Sequence, residues 1–410
     1  MIKRIVVADV RIGMFIHEFC GSWLEHPFWR SRFALDDPVD LAAIRVSAIR
    51  ELLIDTDRGL DVAGSLADED AVADTDVAEA DQAPAALRGV EVRESGQAGF
   101  AEECARARRV LKAGKAVVES MFQESRLGRV VEMDAVHDLV ESITASIARN
   151  ATSLISLARL KTADEYTYLH SVSVCSLMVA LARELRFDEP AVRQAGVAGL
   201  LHDMGKAMVP LEILNKPGKL TDAEFAVIRR HPRAGAEIVR RASDCDPVTV
   251  DVCLHHHEKL DGTGYPDALD GNTLSLFARM GAVCDIYDAI TSNRPYKSGW
   301  DPSMSLRRME EWTRGHLDRA VFHAFVKCVG IYPVGSLVRL ASERIAVVTE
   351  QNAGASLAPR VKAFYTLRSG SRIPTETIDL AHRSCKDRII AVEPREKWNF
   401  ADLDAMWAGG

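Results

Sequence analysis

The sequence predicts a mainly α-helical protein: a helical bundle preceded by a small α+β or mostly β module and followed by a short β-rich extension. Three observations predict this. Apolar residues recur at three- and four-residue steps through most of the middle of the chain, the signature of helices that bury one face. Both ends instead carry short β-branched runs broken by turn residues. Six of the twelve histidines fall between residues 170 and 257, which concentrates metal-capable side chains in the helical part.

In chain order, Ile5–Val7, Met14–Ile16 after Gly13, and Glu51–Asp55 read as strands. The aromatic-rich stretch from Gly21 to Trp29 reads as a core corner of that module. Between Arg58 and Arg88 stand eight acids and no base, enough to account for the formal net charge of -8. Low hydrophobicity with charge of one sign does not offset the entropy of ordering, so this segment reads as a mobile acidic linker. Val136, Leu139, Val140, Ile143, Ile147 and Leu154 then mark a long amphipathic helix. A second helix is expected from Asp164 to Leu185, with His170 one turn before Val174 on or beside its buried stripe. Pro190 opens the next, which reaches His202-Asp203 and stops near Gly205.

Thr221 to Glu224 reads as a capping box, with its helix ending near His231-Pro232. Further helices are expected over Val248 to His257, Ser275 to Thr291, 302–313 and 318–330. Val334–Leu340, Ile345–Thr349 and Val361–Tyr365 read as strands, and no internal repeat is visible. The expected division is 1–60 for the N-terminal module, 61–99 for the linker, 100–160 for connecting helices, 161–333 for the ligand-bearing bundle and 334–410 for the extension. A length of 410 residues fits two or three domains.

Composition narrows the function classes. A formal charge of -8 argues against a surface that coats DNA, since such proteins cluster Lys and Arg against phosphates. The eight cysteines stand singly with no CxxC pair, as suits a reducing compartment. No run approaches the ~18 apolar residues of a membrane span, and the N-terminal apolar run breaks too early for a secretory signal. A cytoplasmic protein is expected.

The chemistry begins at His202-Asp203, where a neutral imidazole and a carboxylate offer adjacent nitrogen and oxygen ligands. His170, His231, His256, His257 and Asp285 extend the set beyond what one ion can use. Singly, each such His is more often a hydrogen-bonded core or surface group; together they point to two ions roughly 3.5–4 Å apart. Asp203 is the candidate bridge. Solvent held between two cations loses a proton near neutral pH, which supplies a nucleophile without a dedicated side-chain base. His255, the third consecutive imidazole with His256 and His257, must point elsewhere and reads as structural. Lys206, one turn past Asp203, is placed to offset charge on a reacting phosphoryl group, so Asp203 and Lys206 are the candidate catalytic pair. The loop Asp261 to Pro266 carries glycines that permit close backbone approach, and Tyr265 offers a ring and a hydroxyl. Arg294 and Lys297 emerge beyond the Asp285 helix, where cations can clamp phosphate oxygens.

These motifs, in this order, resemble the HD-GYP branch of the HD superfamily. The likeness spans roughly residues 160–333 and rests on Tyr166 to Ser171, Leu201 to Lys206, Leu214 to Leu220, His256-His257-Glu258, Asp261 to Pro266, Asp285 to Ala289 and Arg294 to Lys297. It implies an HD-type helical catalytic domain acting as a cyclic di-GMP phosphodiesterase, yielding pGpG and in many members GMP. Carried over by position, it implies metal ligands at His170, His202, Asp203, His231, His256, His257 and Asp285. It implies substrate contacts at Lys206, Gly264, Tyr265, Pro266, Arg294 and Lys297. Three-metal members are similar in a Glu four residues before the first His; Tyr166 stands there, so two ions are expected, iron or manganese. The first 60 residues resemble the N-terminal module of unknown function in one HD-GYP subgroup, through Gly13-Met14 and Ser22 to Phe28. Diguanylate cyclases of the GGDEF type and a second copy of the chain, as a homodimer, are the partners this implies. Two readings compete with it: a cyclic-dinucleotide-binding adaptor with little turnover, and a phosphodiesterase for a related 3′,3′-cyclic dinucleotide.

Overall fold

The structure is a computed structural model and describes residues 2–20, 33–36, 38, 41, 44, 45, 50–62, 100–161, 166–216, 218–292, 299–352, 355–398 and 400–408. The chain divides into two compact units, Met1–Gln97 and Ala98–Gly410. The acidic stretch from 63 to 99, the aromatic stretch 21–29, and Arg294 and Lys297 lie outside the described residues.

In the first unit, strands β1 (Ile2–Val6), β2 (Phe15–Cys20), β3 (Phe33–Ala34) and β4 (Glu51–Asp55) form an antiparallel sheet in the order β1-β4-β2-β3. Period-two alternation turns Leu52 and Ile54 inward onto Ile5, Met14, Ile16 and Leu35. The expected run to Val7 stops one residue early, because Val7–Asp9 forms a 3₁₀ turn.

The second unit opens with α1 (Phe100–Arg126) and α2 (Met133–Ala158), the latter interrupted at Asn150, whose φ of -160 and ψ of 100 are extended. The apolar stripe from Val136 to Leu154 is buried as its spacing requires. Next come α3 (Tyr166–Glu184) and α4 (Glu189–Leu201), which Asp188 caps by accepting from Ala191 N at 2.9 Å. Residues 169–182 of α3 are buried without a break, and it packs against α1, α2 and α4. It is the central helix. A 3₁₀ turn at Met204–Met208 leads to α5 (Leu211–Leu214) and α6 (Asp222–Ile228), which the Thr221/Glu224 capping box starts.

Here the structure departs from the sequence expectation. His231-Pro232 does not close α6, which ends at Ile228, but opens a separate helix α7 (His231–Arg240). Proline in a first turn forfeits an N–H that has no helical partner there, so the same dipeptide that reads as a stop serves as a start. Helices α8 (Pro247–His255), α9 (Leu276–Thr291), α10 (Pro302–Trp312) and α11 (Arg319–Val329) complete the bundle.

The extension folds as an antiparallel sheet of β5 (Leu337–Leu340), β6 (Arg344–Glu350), β7 (Arg360–Thr366), β8 (Ser371–Asp379) and β9 (Ile389–Val392) in the order β8-β7-β6-β5-β9. Arg159 at the end of α2 donates to Val334 O at 2.7 Å, which ties this sheet to the bundle. Among the described residues, no helix is long and apolar enough to cross a membrane.

Candidate metal centre

Asp203 stands at the centre of the site, in the turn after α4, and its side chain is buried. Its two oxygens face different neighbours. Oδ1 lies 3.2 Å from His231 Nε2 and 3.8 Å from His256 Nε2. Oδ2 lies 3.3 Å from His170 Nε2 and 3.4 Å from His202 Nε2, and Lys206 Nζ pairs with it. Asp285, on the inner face of α9, completes the second group at 3.0 Å from His170 Nε2, and its other oxygen is 3.8 Å from His257 Nδ1. All seven sequence-predicted ligands therefore converge, although they come from five separate stretches of chain.

Local structure fixes which nitrogen each imidazole presents. His202 Nδ1 donates to Gly199 O at 2.8 Å, His231 Nδ1 to Ile228 O at 2.7 Å, and His256 Nδ1 to Val252 O and Cys253 O at 3.0 Å each. A proton held on Nδ1 leaves the Nε2 lone pair facing the centre, and backbone carbonyls commonly orient metal-ligating histidines in this way. His231 reaches Asp203 because the backbones of the 3₁₀ turn and α7 nearly touch. A Cβ on Gly205 would fall 1.8 Å from His231 O, so only glycine fits there.

His170 is held differently. Its Nδ1 sits 2.6 Å from Asp288 Oδ2, and both Asp288 oxygens accept from Lys161 Nζ at 2.7 Å. This carboxylate–imidazole pair is the stronger form of the same orienting device. Neither Asp288 nor Lys161 was assigned a role from the sequence. Asp288 could have been, since it lies one turn past Asp285 on the same helix face. Lys161 gives no such signal: it follows the end of α2, and nothing in its neighbours foretells that its ammonium is buried.

The electrostatics fit cation ligation. Burial opposes charge on His170, but Asp203, Asp285 and Asp288 outweigh it and raise its pKa to about 10, so a cation there would take the place of the Nε2 proton that these carboxylates attract. Burial lowers His202 and His256, and takes His257 down to about 3, so these imidazoles are neutral donors. Burial would raise Asp203 and Asp285, but Lys206 and the histidines hold Asp203 ionised, and His170, His257 and His202 do the same for Asp285. Buried carboxylates beside neutral imidazoles make a hard-to-borderline N/O donor set. His202 Nε2 is buried without a hydrogen-bond partner, as a ligand atom would be. Ligand atoms of His231, His256 and His257 lie within 4.8 Å of one another, as do those of His170, His202 and Asp285, and of His202, Asp203 and His256. The residues therefore fit metal ions.

The remaining predicted positions among the described residues lie near this cluster. His255 turns away to Asp251 (2.7 Å) and Asp267 (3.4 Å), the structural role expected of it. Glu258 accepts from Asp267 N at 2.6 Å and Leu269 N at 3.2 Å, which pins the Gly264-Tyr265-Pro266 loop against the end of α8. Gly264 is required there, because a Cβ would lie 2.4 Å from Glu258 Cα. The Tyr265 ring, expected to be open for stacking, is already engaged. His257 stacks on it at 4.8 Å with a 27° interplanar angle, and the Arg229 guanidinium lies 4.6 Å from its centroid. Lys206 keeps its side chain about 20% exposed beside Asp203, so it is both paired and reachable.

Two family models match the chain: a domain of unknown function, DUF3391, over residues 2–136, and an HD domain over residues 139–321. The cyclic di-GMP phosphodiesterase PA4108 of Pseudomonas aeruginosa is 51% identical over 410 residues, covering 100% of this chain and 96% of that protein. The cyclic di-GMP phosphodiesterase response regulator RpfG of Xanthomonas campestris pv. campestris is 41% identical over 158 residues, 37% of this chain and 41% of that protein. The 3′3′-cGAMP-specific phosphodiesterase 1 of Vibrio cholerae is 36% identical over 169 residues, 40% of this chain and 38% of that protein. The convergent histidines and carboxylates, the Gly-Tyr-Pro loop and this full-length likeness give one result: the chain belongs to the HD-GYP branch of the HD-domain family, joined to a DUF3391 domain.

Proposed function

We propose that the protein is a metal-dependent phosphodiesterase that opens cyclic di-GMP to linear pGpG, with GMP as the product of a second cleavage. The observation that carries this reading is the division of Asp203, whose Oδ1 faces His231 and His256 while its Oδ2 faces His170 and His202. On this reading His170, His202 and Asp285 would hold one ion, His231, His256 and His257 the other, and Asp203 would be shared by both. Iron and manganese both suit such a donor set. When bound, the ions supply positive charge to the phosphoryl oxygens and lower the pKa of the attacking water.

The chain's own residues do the rest. Asp288 and Lys161 hold His170 in register, and four backbone carbonyls orient His202, His231 and His256. Lys206 brings an ammonium to the edge of the cluster, where it offsets charge that builds on the phosphoryl group as the bond to the 3′ oxygen breaks. Arg294 and Lys297 clamp the phosphates. Gly264, Tyr265 and Pro266 form the wall against which the nucleotide lies. GGDEF diguanylate cyclases, which make this substrate, are the opposing partners implied, in the cytoplasm.

Incubating purified protein, loaded with manganese or with iron under reducing conditions, with cyclic di-GMP and 3′,3′-cGAMP and separating the products tests this. Linear pGpG from cyclic di-GMP is expected. Faster cleavage of 3′,3′-cGAMP would reassign the substrate, and tight binding with both rings left intact would make the protein an adaptor.

A further inference from the structure

Beside the ligand cluster lies a cavity of about 130 Å³ whose lining includes Ile286, Trp312 and Leu317, none of which the sequence singled out. Its lining combines His256, His257 and Tyr265 with Ile286, Trp312 and Leu317, and Glu258, Lys259 and His316 add polar groups. His256 and His257 belong to the ligand cluster as well as to this lining, so the cavity borders the metal centre. Sites that enclose a whole ligand run to roughly 300–1,000 Å³, so this one takes part of a ligand and leaves the remainder outside.

Its character is that of an aromatic slot. Trp312 is the last residue of α10 and is half-buried, with its surroundings apolar on the Ile286 and Leu317 side. Its position is fixed by its own backbone: Trp312 O accepts from His316 N at 2.8 Å and from Leu317 N at 3.1 Å. The turn so formed is tied to the loop that carries Tyr265. Leu260 N donates to His316 O at 3.1 Å, and His316 Nε2 lies 3.7 Å from Asp261 Oδ2. The Tyr265 ring is braced by His257 and Arg229, which fixes its place in the lining.

We infer that Trp312 is the stacking platform for a purine base of the substrate, held in the slot beside His257 and Tyr265 while the phosphodiester sits at the metal centre. The inference rests on the proposed phosphodiesterase reading and adds to it a residue outside the family motifs. Indoles suit this task because every base presents a π-face and stacking needs no particular hydrogen-bond pattern. Trp312 then contributes affinity for purine nucleotides in general, and choice between guanine and adenine falls to other groups.

The test compares Trp312→Leu, which keeps apolar volume, with Trp312→Phe, which keeps a π-face. From the usual strength of base–aromatic stacking, Trp312→Leu should raise KM for cyclic di-GMP about 5- to 100-fold. Its kcat and metal content should stay near wild type, and Trp312→Phe should recover most of the affinity. Turnover of methyl p-nitrophenyl phosphate, a phosphodiester without a base, should not change. Calorimetric binding of GMP should weaken in parallel with KM. An unchanged KM in Trp312→Leu overturns the inference, and so does an equal loss with the base-free diester, which would make the residue merely structural. If the wild-type protein cleaves no cyclic dinucleotide, the phosphodiesterase reading fails. GMP binding then decides the slot by itself, and indifference to residue 312 overturns it.

Discussion

Replacing Asp288 by Asn separates two roles that the structure gives one carboxylate. Asp288 is buried, with both oxygens 2.7 Å from Lys161 Nζ and one 2.6 Å from His170 Nδ1. The Lys161 side chain is 0% exposed, so the amide takes the Asp288 negative charge away from a buried ammonium. Breaking one partner out of a buried pair typically costs about 3–5 kcal/mol, a large share of a stability of about 5–15 kcal/mol. Loss of an orienting partner to a ligating histidine typically weakens metal binding by about 10- to 100-fold. The double variant Lys161→Met/Asp288→Asn removes both charges together and should regain most of the stability, since apolar replacement of a buried pair is often close to neutral. It should not regain metal affinity, because His170 still lacks its carboxylate. Urea denaturation and manganese titration of the two variants read the two roles independently. A single variant within about 1 kcal/mol of wild type, or a double variant that recovers metal affinity, would refute the reasoning.

Asp203→Ala removes the shared ligand, and turnover should fall by more than the roughly hundredfold that follows loss of an outer-shell partner, while the circular dichroism spectrum is retained; wild-type turnover in metal-defined buffer would falsify the assignment. Gly264→Ala forces a Cβ to within 2.4 Å of Glu258 Cα, an overpacking of about 1–3 kcal/mol that the loop relieves by moving. Steady-state kinetics should show a raised KM with metal content kept, and an unmoved KM would separate the loop from the substrate. Lys216 and the Thr221 backbone hold the Glu224 pKa at about 2, below the ordinary 4.5. A depressed carboxylate stabilises the fold above its unfolded pKa, so this contribution should be intact above about pH 4.5 and lost as the pH falls towards 2. Denaturation of wild type and Glu224→Gln across that window should converge at the acid end; a gap that widens there contradicts the assignment.

The bundle was legible because its helices carry period-3.6 stripes and explicit caps, as at Asp188 and Thr221. The ligands were legible because histidines cluster in sequence as well as in space. Legibility failed where meaning depends on context. His231-Pro232 reads alike as a helix stop or a helix start, and only the approach of Gly205 to α7 settles it. Strand β8 escaped notice because it is exposed on both faces and contains Pro374, which removes both the alternation and a ladder donor; it survives as an edge strand. Strand β9, at the opposite edge, is only four residues long. The contacts of Tyr265 with His257 and Arg229 gave no sequence signal, because folding alone brings Arg229 to the ring and turns His257 onto it.

Electron paramagnetic resonance of the protein titrated with manganese tests the paired-cation claim most directly. Two ions bridged by Asp203 should bind about two per chain and give the broadened signal of an exchange-coupled pair, with the coupling absent in Asp203→Ala. A simple six-line spectrum of isolated manganese at full loading, or no binding at all, would contradict it.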